Sequence, residues 1–504
     1  MASRRSGCGT RRKSSCPTST VSTLPNTLLR LLCLGLALAG CATNPVSGRR
    51  EMALMSEAQE ISIGRDMHPK VLQQYGQYDD PALQAYVQGV GEKLAAHSHR
   101  ANLIYRFTVV DSAEINAFAL PGGYIYITRG LLAYLGSEAE MAGVLGHEIG
   151  HVTARHAVRQ YTATAAAQLG MTLGSIFVPG LGNNVAQNVM GVLGQAMLSG
   201  YGREHELESD GLGAEYLARA GYDPQAILDV LRTLKAQGDY ATAQAKAEGR
   251  QPQSYHGLFA THPDEDTRLK EVLTKASFLA PDKPADNGRD VFLKHIDGLV
   301  FGDSAAQGVR RENRFYHQDL DFALAFPAGW RLDNRPDRLL AIAPGGKAQA
   351  QLTSQDLNQR ETPREFMIRR LGLKNPAGEE ISPAGLPGYT APLKIQGRPG
   401  RVSVIFYRNQ AYVLASVALD GADPQAVSEA MRQTALGFHP LRENEKALAK
   451  PLRLHLKSAA AADTFASLAK DSRLPGDAQA QLRLLNGRYP QGEPKPGDIL
   501  KIVE

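Results

Sequence analysis

Val144 to His156 read VLGHEIGHVTARH, and within them His147, Glu148 and His151 make the pattern His-Glu-x-x-His. Residues four apart on a helix share one face, so the two imidazoles can close on a single ion with Glu148 beside it. Helical context is supplied locally. Ser137-Glu-Ala-Glu140 reads as a capping box, and Met141, Val144, Leu145 and Val152 keep helical spacing, which predicts one helix running on to about Gln160. The chemistry indicated is metal-assisted hydrolysis, provided a third protein ligand leaves one coordination position for water.

Upstream, Ser56 to Gln77 and Asp80 to Ser98 have helical spacing, the second opening on an Asp80 cap with Pro81 at the first turn. Tyr105 to Val110 alternates as a strand. Glu114 to Arg129 reads as strand, turn at Pro121 to Gly123, strand: a hairpin whose edge can accept an extended peptide as an added strand. Downstream, Ala165 to Tyr201 is apolar and Gly-rich, but Pro179, Gly180 and Gly182 cut it into pieces too short to span a membrane. Arg203 to Arg219 is helical again, and Pro224 opens a further helix.

The third ligand has to come from one of these later elements. A metzincin would place a histidine six residues after His151, but position 157 is Ala and His156 is one residue out of register. A gluzincin uses a glutamate on a later helix with an aspartate one turn on, and Glu206-Leu-Glu-Ser-Asp210 offers such a pair. Glu204 and Glu208 compete with Glu206 on spacing alone. NAFALPGGYIYITRGLL, HEIGH, REHELESDG, AGYDP and THPDEDTR together resemble the zinc metallopeptidase family of the gluzincin type that includes the HtpX heat-shock protease, the CAAX prenyl endopeptidase and the periplasmic β-barrel assembly-enhancing protease. The likeness covers roughly Glu51 to Leu279.

It implies one Zn²⁺ per chain held by His147, His151 and Glu206. Glu148 would be the general base, and Asp210 would orient His147. His262 would either stabilise the oxyanion or occupy the fourth zinc position as a latch, with Arg268 holding structure nearby. Asn116 would contact substrate backbone. His156 and His205 are read as non-ligands.

Composition narrows the setting. The formal charge of +5 is concentrated in residues 1–40, which hold six basic residues and no acid, so the remainder sits at −1 and no basic patch calls for nucleic acid. All four cysteines, Cys8, Cys16, Cys33 and Cys41, fall in the first 41 residues, which removes cysteine ligands and disulfides from the folded body. Leu28 to Ala39 runs into Leu38-Ala39-Gly40-Cys41, which resembles a bacterial lipobox and implies a lipid anchor on Cys41.

The expected architecture is α+β. A signal peptide (1–40) and tether (41–55) precede a mainly helical peptidase domain with a small sheet (56–280). A linker (281–310), an α+β domain (311–445) and a βααβ segment (450–504) follow. DTFASLAK, LLNG and PGDILKIV in that last segment resemble a LysM domain, which implies peptidoglycan contact, although Ala461-Ala462 replace the Gly usual before Asp-Thr. The function expected is a zinc endopeptidase on the periplasmic side of the outer membrane, cutting extended segments of misfolded or stalled envelope proteins. The alternatives are a chaperone-like, wall-docking assembly factor with little protease activity, and an enzyme that cuts peptidoglycan stem peptides.

Overall fold

The structure, a computed structural model, describes residues 41–173, 200–247, 268, 286–357 and 360–504. The stretch expected as a tether is instead a ribbon: β1 (Cys41–Thr43) pairs antiparallel with β2 (Arg50–Met52). The Asn44 side chain holds the turn by accepting from the Val46 and Ser47 amides. Helices α1 (Glu57–Tyr75) and α2 (Pro81–Ala95) begin on the caps Ser56 and Asp80, whose side chains accept from Gln59 and Leu83.

Strands β3 (Arg106–Val110), β4 (Ala117–Leu120) and β5 (Tyr124–Thr128) make a sheet of order β3-β5-β4, with the expected hairpin between β4 and β5 and a parallel β3-β5 pair. Thr128 then caps α3 (Arg129–Tyr134), and α4 (Glu138–Thr153) carries the His-Glu-x-x-His residues. The helix expected to reach Gln160 breaks after Thr153. Arg155 takes a left-handed φ of 55°, its guanidinium bonded to Glu60 (3.0 Å) and the Met55 carbonyl (2.9 Å), and α5 (His156–Leu173) restarts beyond it. These bonds from a distant helix outweigh the local preference for continuation. Most of the apolar stretch 165–201 lies outside the described residues. Among those described, no helix is long and apolar enough to cross a membrane. Helices α6 (Arg203–Arg219) and α7 (Ala226–Ala247) complete the group around the motif.

Residues 286–310, expected as linker, contain α8 (Arg289–Ile296) and β6 (Val300–Phe301), because Phe292, Leu293 and Ile296 are apolar at helical spacing and buried in the core shared with α4. The chain then builds a four-stranded sheet from β7 (Val309–Arg311), β8 (Arg314–His317), β9 (Phe322–Ala325) and β17 (His439–Pro440). A seven-stranded antiparallel sheet runs in the order β10 (Arg331–Arg335), β11 (Arg338–Ile342), β12 (Ala348–Asp356), β16 (Gln410–Ala418), β15 (Arg398–Tyr407), β14 (Gly388–Ile395) and β13 (Glu379–Ile381), covered by α9 (Pro363–Arg369) and α10 (Pro424–Leu436). The last segment has the expected strand–helix–helix–strand order: β18 (Leu452–Ser458), α11 (Phe465–Asp471), α12 (Ala478–Leu485) and β19 (Ile499–Val503). Strand β18 pairs with β6 as well as β19, and Leu454, Phe465, Leu482 and Leu500 enter the same apolar core as Leu145 and Ile149 of α4. Helices and sheets are thus mixed but segregated, an α+β arrangement.

Candidate metal centre

Two helices that pack unusually closely build the centre. A methyl on Gly213 of α6 would stand 3.0 Å from the His147 amide nitrogen, and one on Gly150 of α4 would stand 3.0 Å from the Ser209 backbone. Glycine at both places lets the backbones approach until His147, His151 and Glu206 converge. His147 Nε2 lies 3.0 Å from His151 Nε2, and these nitrogens lie 3.5 Å from Glu206 Oε2 and Oε1 respectively. All three side chains are buried.

This donor set fits a zinc ion. Tetrahedral zinc with bonds of about 2.0–2.1 Å needs ligand atoms about 3.3–3.4 Å apart; each imidazole nitrogen stands close to that distance from one Glu206 oxygen, and the two nitrogens stand somewhat nearer to each other. Two imidazole nitrogens at 3.0 Å would also set lone pair against lone pair unless a proton or a cation stood between them. Burial by itself would lower the pKa of His147, but the Asp210 and Glu206 carboxylates outweigh it and raise it to about 9. The same negative field that would hold a proton there would hold a metal cation.

Behind these three side chains, Asp210 Oδ1 accepts from His147 Nδ1 at 2.8 Å. Arg268 donates to both Asp210 oxygens, Nε at 2.8 Å and Nη2 at 2.7 Å, and its Nη1 stands 3.1 Å from Glu206. Burial would raise the Asp210 pKa, but Arg268 and His147 bring it down to about 2, so it is a carboxylate. Glu148 is buried on the same helix, 1% exposed. Asn116 is buried just before β4, and its side-chain oxygen has no partner among the described residues. His262 lies outside the described residues.

Of the acids that competed on spacing, Glu206 points into the centre, whereas Glu208 turns the other way, to His156 (3.0 Å) and Arg159 (2.7 Å). The sequence reading left two features unseen. His156 Nδ1 lies 2.8 Å from His151 Nδ1, and Tyr201 stacks on His151 at 4.2 Å. The contact to Glu208 crosses a helix break and some fifty residues of chain, so no periodicity reports it.

Comparison with known proteins agrees with this geometry. The pattern of peptidase family M48 matches residues 81–276. The β-barrel assembly-enhancing protease of Escherichia coli strain K12 is 30% identical over 247 residues, 47% of this chain and 48% of that protein. That of Yersinia pestis is 29% identical over 261 residues, half of each chain. The mitochondrial metalloendopeptidase OMA1 of Arabidopsis thaliana is 33% identical over 206 residues, 40% of each. The chain thus spans about half the length, or less, of these relatives. Within that span the matched region holds both histidines, Glu206, Asp210 and Arg268, so residues 81–276 are similar to peptidase family M48 across the whole of this centre.

Proposed function

We propose that this chain is a zinc-dependent endopeptidase of the bacterial cell envelope, with His147, His151 and Glu206 as the metal ligands. The observation that carries the reading is the convergence of three buried donor residues, two imidazoles and a carboxylate with one donor atom of each within 4.8 Å of the others, braced by Asp210 and Arg268. When bound there, zinc would polarise a scissile carbonyl and acidify a water molecule. Glu148, one residue beyond His147 and off the ligand set, takes the proton of the attacking water as general base and passes it to the leaving amine. Asp210 holds the His147 Nδ1 proton and so directs Nε2 at the metal. Strand β4 is the outer strand of its sheet, which supports addition of a substrate in extended form, with Asn116 at its start to meet substrate backbone.

The Cys41 motif supports a lipid anchor on the periplasmic side of the outer membrane, and the similarity to proteases named for enhancing β-barrel assembly supports a role in that assembly, which we extend to misfolded or stalled envelope proteins as substrates. The LysM-like segment adds contact with peptidoglycan, and His262 serves as oxyanion donor or as a latch on the fourth zinc position.

Casein hydrolysis with and without chelator tests the activity. Glu148→Gln should keep its zinc by elemental analysis yet lose at least about 100-fold in rate, and wild-type rates in that variant would refute the mechanism. No hydrolysis by either wild type or His262→Ala would favour the assembly-platform reading instead. An unmodified Cys41 in the intact mass of membrane-extracted protein would remove the anchor.

A further inference from the structure

We propose that His156, Glu208 and Arg159 form a relay that positions His151 for the metal; this rests on the zinc reading above. His151 Nδ1 and His156 Nδ1 are 2.8 Å apart, His156 Nε2 is 3.0 Å from Glu208 Oε2, and Arg159 Nη1 closes on the same oxygen at 2.7 Å. His156 is fully buried, with the His205 ring stacked on it at 4.2 Å and Ser209 Oγ 3.3 Å from its Nδ1.

Only one placement of protons satisfies these contacts with a metal on His151 Nε2. His151 then carries its proton on Nδ1 and donates it to His156 Nδ1, so His156 carries its own on Nε2 and donates to the Glu208 carboxylate, which Arg159 neutralises. The opposite tautomer of His156 would set a bare Nε2 against a carboxylate oxygen at 3.0 Å and would give His151 a donor where it needs an acceptor. The arrangement repeats the other arm of the centre. His147 is backed by Asp210 and Arg268; His151 is backed by Glu208 and Arg159, with one imidazole interposed. His156 and Glu208 are therefore positioning residues, acting on the metal through His151.

The test is zinc affinity by chelator competition on the full chain, with activity as a second readout. Wild type is measured first: if it does not bind zinc, the function proposed above fails, and this relay with it. His156→Phe removes the acceptor and should weaken zinc binding about 10- to 100-fold. His156→Gln keeps both an acceptor and a donor and should recover most of that loss, a rescue that a merely space-filling role would not give. Glu208→Ala changes a side chain that is 28% exposed, so it spares the core if His156→Phe fails to fold, and it should weaken binding about 3- to 10-fold. Zinc affinity within twofold of wild type in Glu208→Ala and in whichever His156 variant folds overturns the relay, as does a His156→Gln variant no better than His156→Phe.

Discussion

Asp210 shows how much one side chain carries in this centre. It is 1% exposed, it answers His147 on one side and two guanidinium donors of Arg268 on the other, and Glu206 sits one helical turn away. Asp210→Ala leaves Arg268 buried without its main counter-charge and frees the His147 ring to turn. We expect zinc affinity to fall about 10- to 100-fold by chelator competition and peptidase rate to fall with it; unchanged affinity would deny Asp210 its orienting role. A residue far from the centre sets a pH limit. His317 is buried in β8 (Arg314–His317), its Nδ1 accepts from the Leu320 amide at 3.3 Å, and burial lowers its pKa from 6.5 to about 4. Between those values the unfolded chain binds the extra proton, so the contribution is complete above pH 6.5 and is lost as the pH falls toward 4. The loss should reach up to about 3 kcal/mol, read as a decline in the urea midpoint of residues 311–445 that flattens in His317→Gln.

At the scale of elements, the centre depends on how near α4 and α6 stand. Gly213→Ala would place a methyl 3.0 Å from the His147 backbone nitrogen and 3.2 Å from the Gly146 carbonyl carbon and the Ile227 side chain. Backbone on a packed helix cannot yield easily, so the helices must separate. We expect about 1–3 kcal/mol of destabilisation by urea unfolding, together with loss of tight zinc binding. Full zinc affinity in a folded Gly213→Ala would show that the approach is not needed. The break between α4 and α5 is fixed in a similar way from outside, since Glu60 of α1 accepts from both Arg155 at the break and Arg100 beyond α2.

For the whole molecule, the order of domains in sequence differs from their order in space. Strands β6 and β18 are antiparallel neighbours, with Val300 opposite Arg453 and Phe301 opposite Leu452, so the α+β domain between them is an insertion whose ends meet. The C-terminal segment is locked to the peptidase helices. Lys501 is 1% exposed and donates to the Ala133 and Leu135 carbonyls, both at 2.7 Å, at the end of α3 just before the cap of α4. Burial lowers its pKa to about 7 against the pull of Glu140, yet its ammonium supplies donors that those helix-end carbonyls otherwise lack. Replacing residues 309–446 by a short Gly-Ser linker should therefore leave zinc binding and cooperative melting of the remainder intact. Ending the chain at residue 449 should abolish both, because it uncovers the shared core. The reverse outcome, a stable zinc-binding chain without residues 450–504, would show that segment to be an independent appendage.

Local chemistry made much of this protein legible from sequence. Caps at Asp80 and Ser137, the turn at Pro121 to Gly123, and the spacing of His147, Glu148 and His151 depend on residues within a turn or two of one another, and short-range interactions are what periodicity records. What tertiary structure alone decided depends on backbones meeting across long stretches of chain. Packing at Gly150 and Gly213 turns Glu206 inward and Glu208 outward although both ride the same helix. A left-handed Arg155, held by Glu60, swings His156 behind His151. Lys501 finds its two carbonyls more than 360 residues upstream. No local pattern encodes such partners, because burial and close approach select them only once the whole chain has folded.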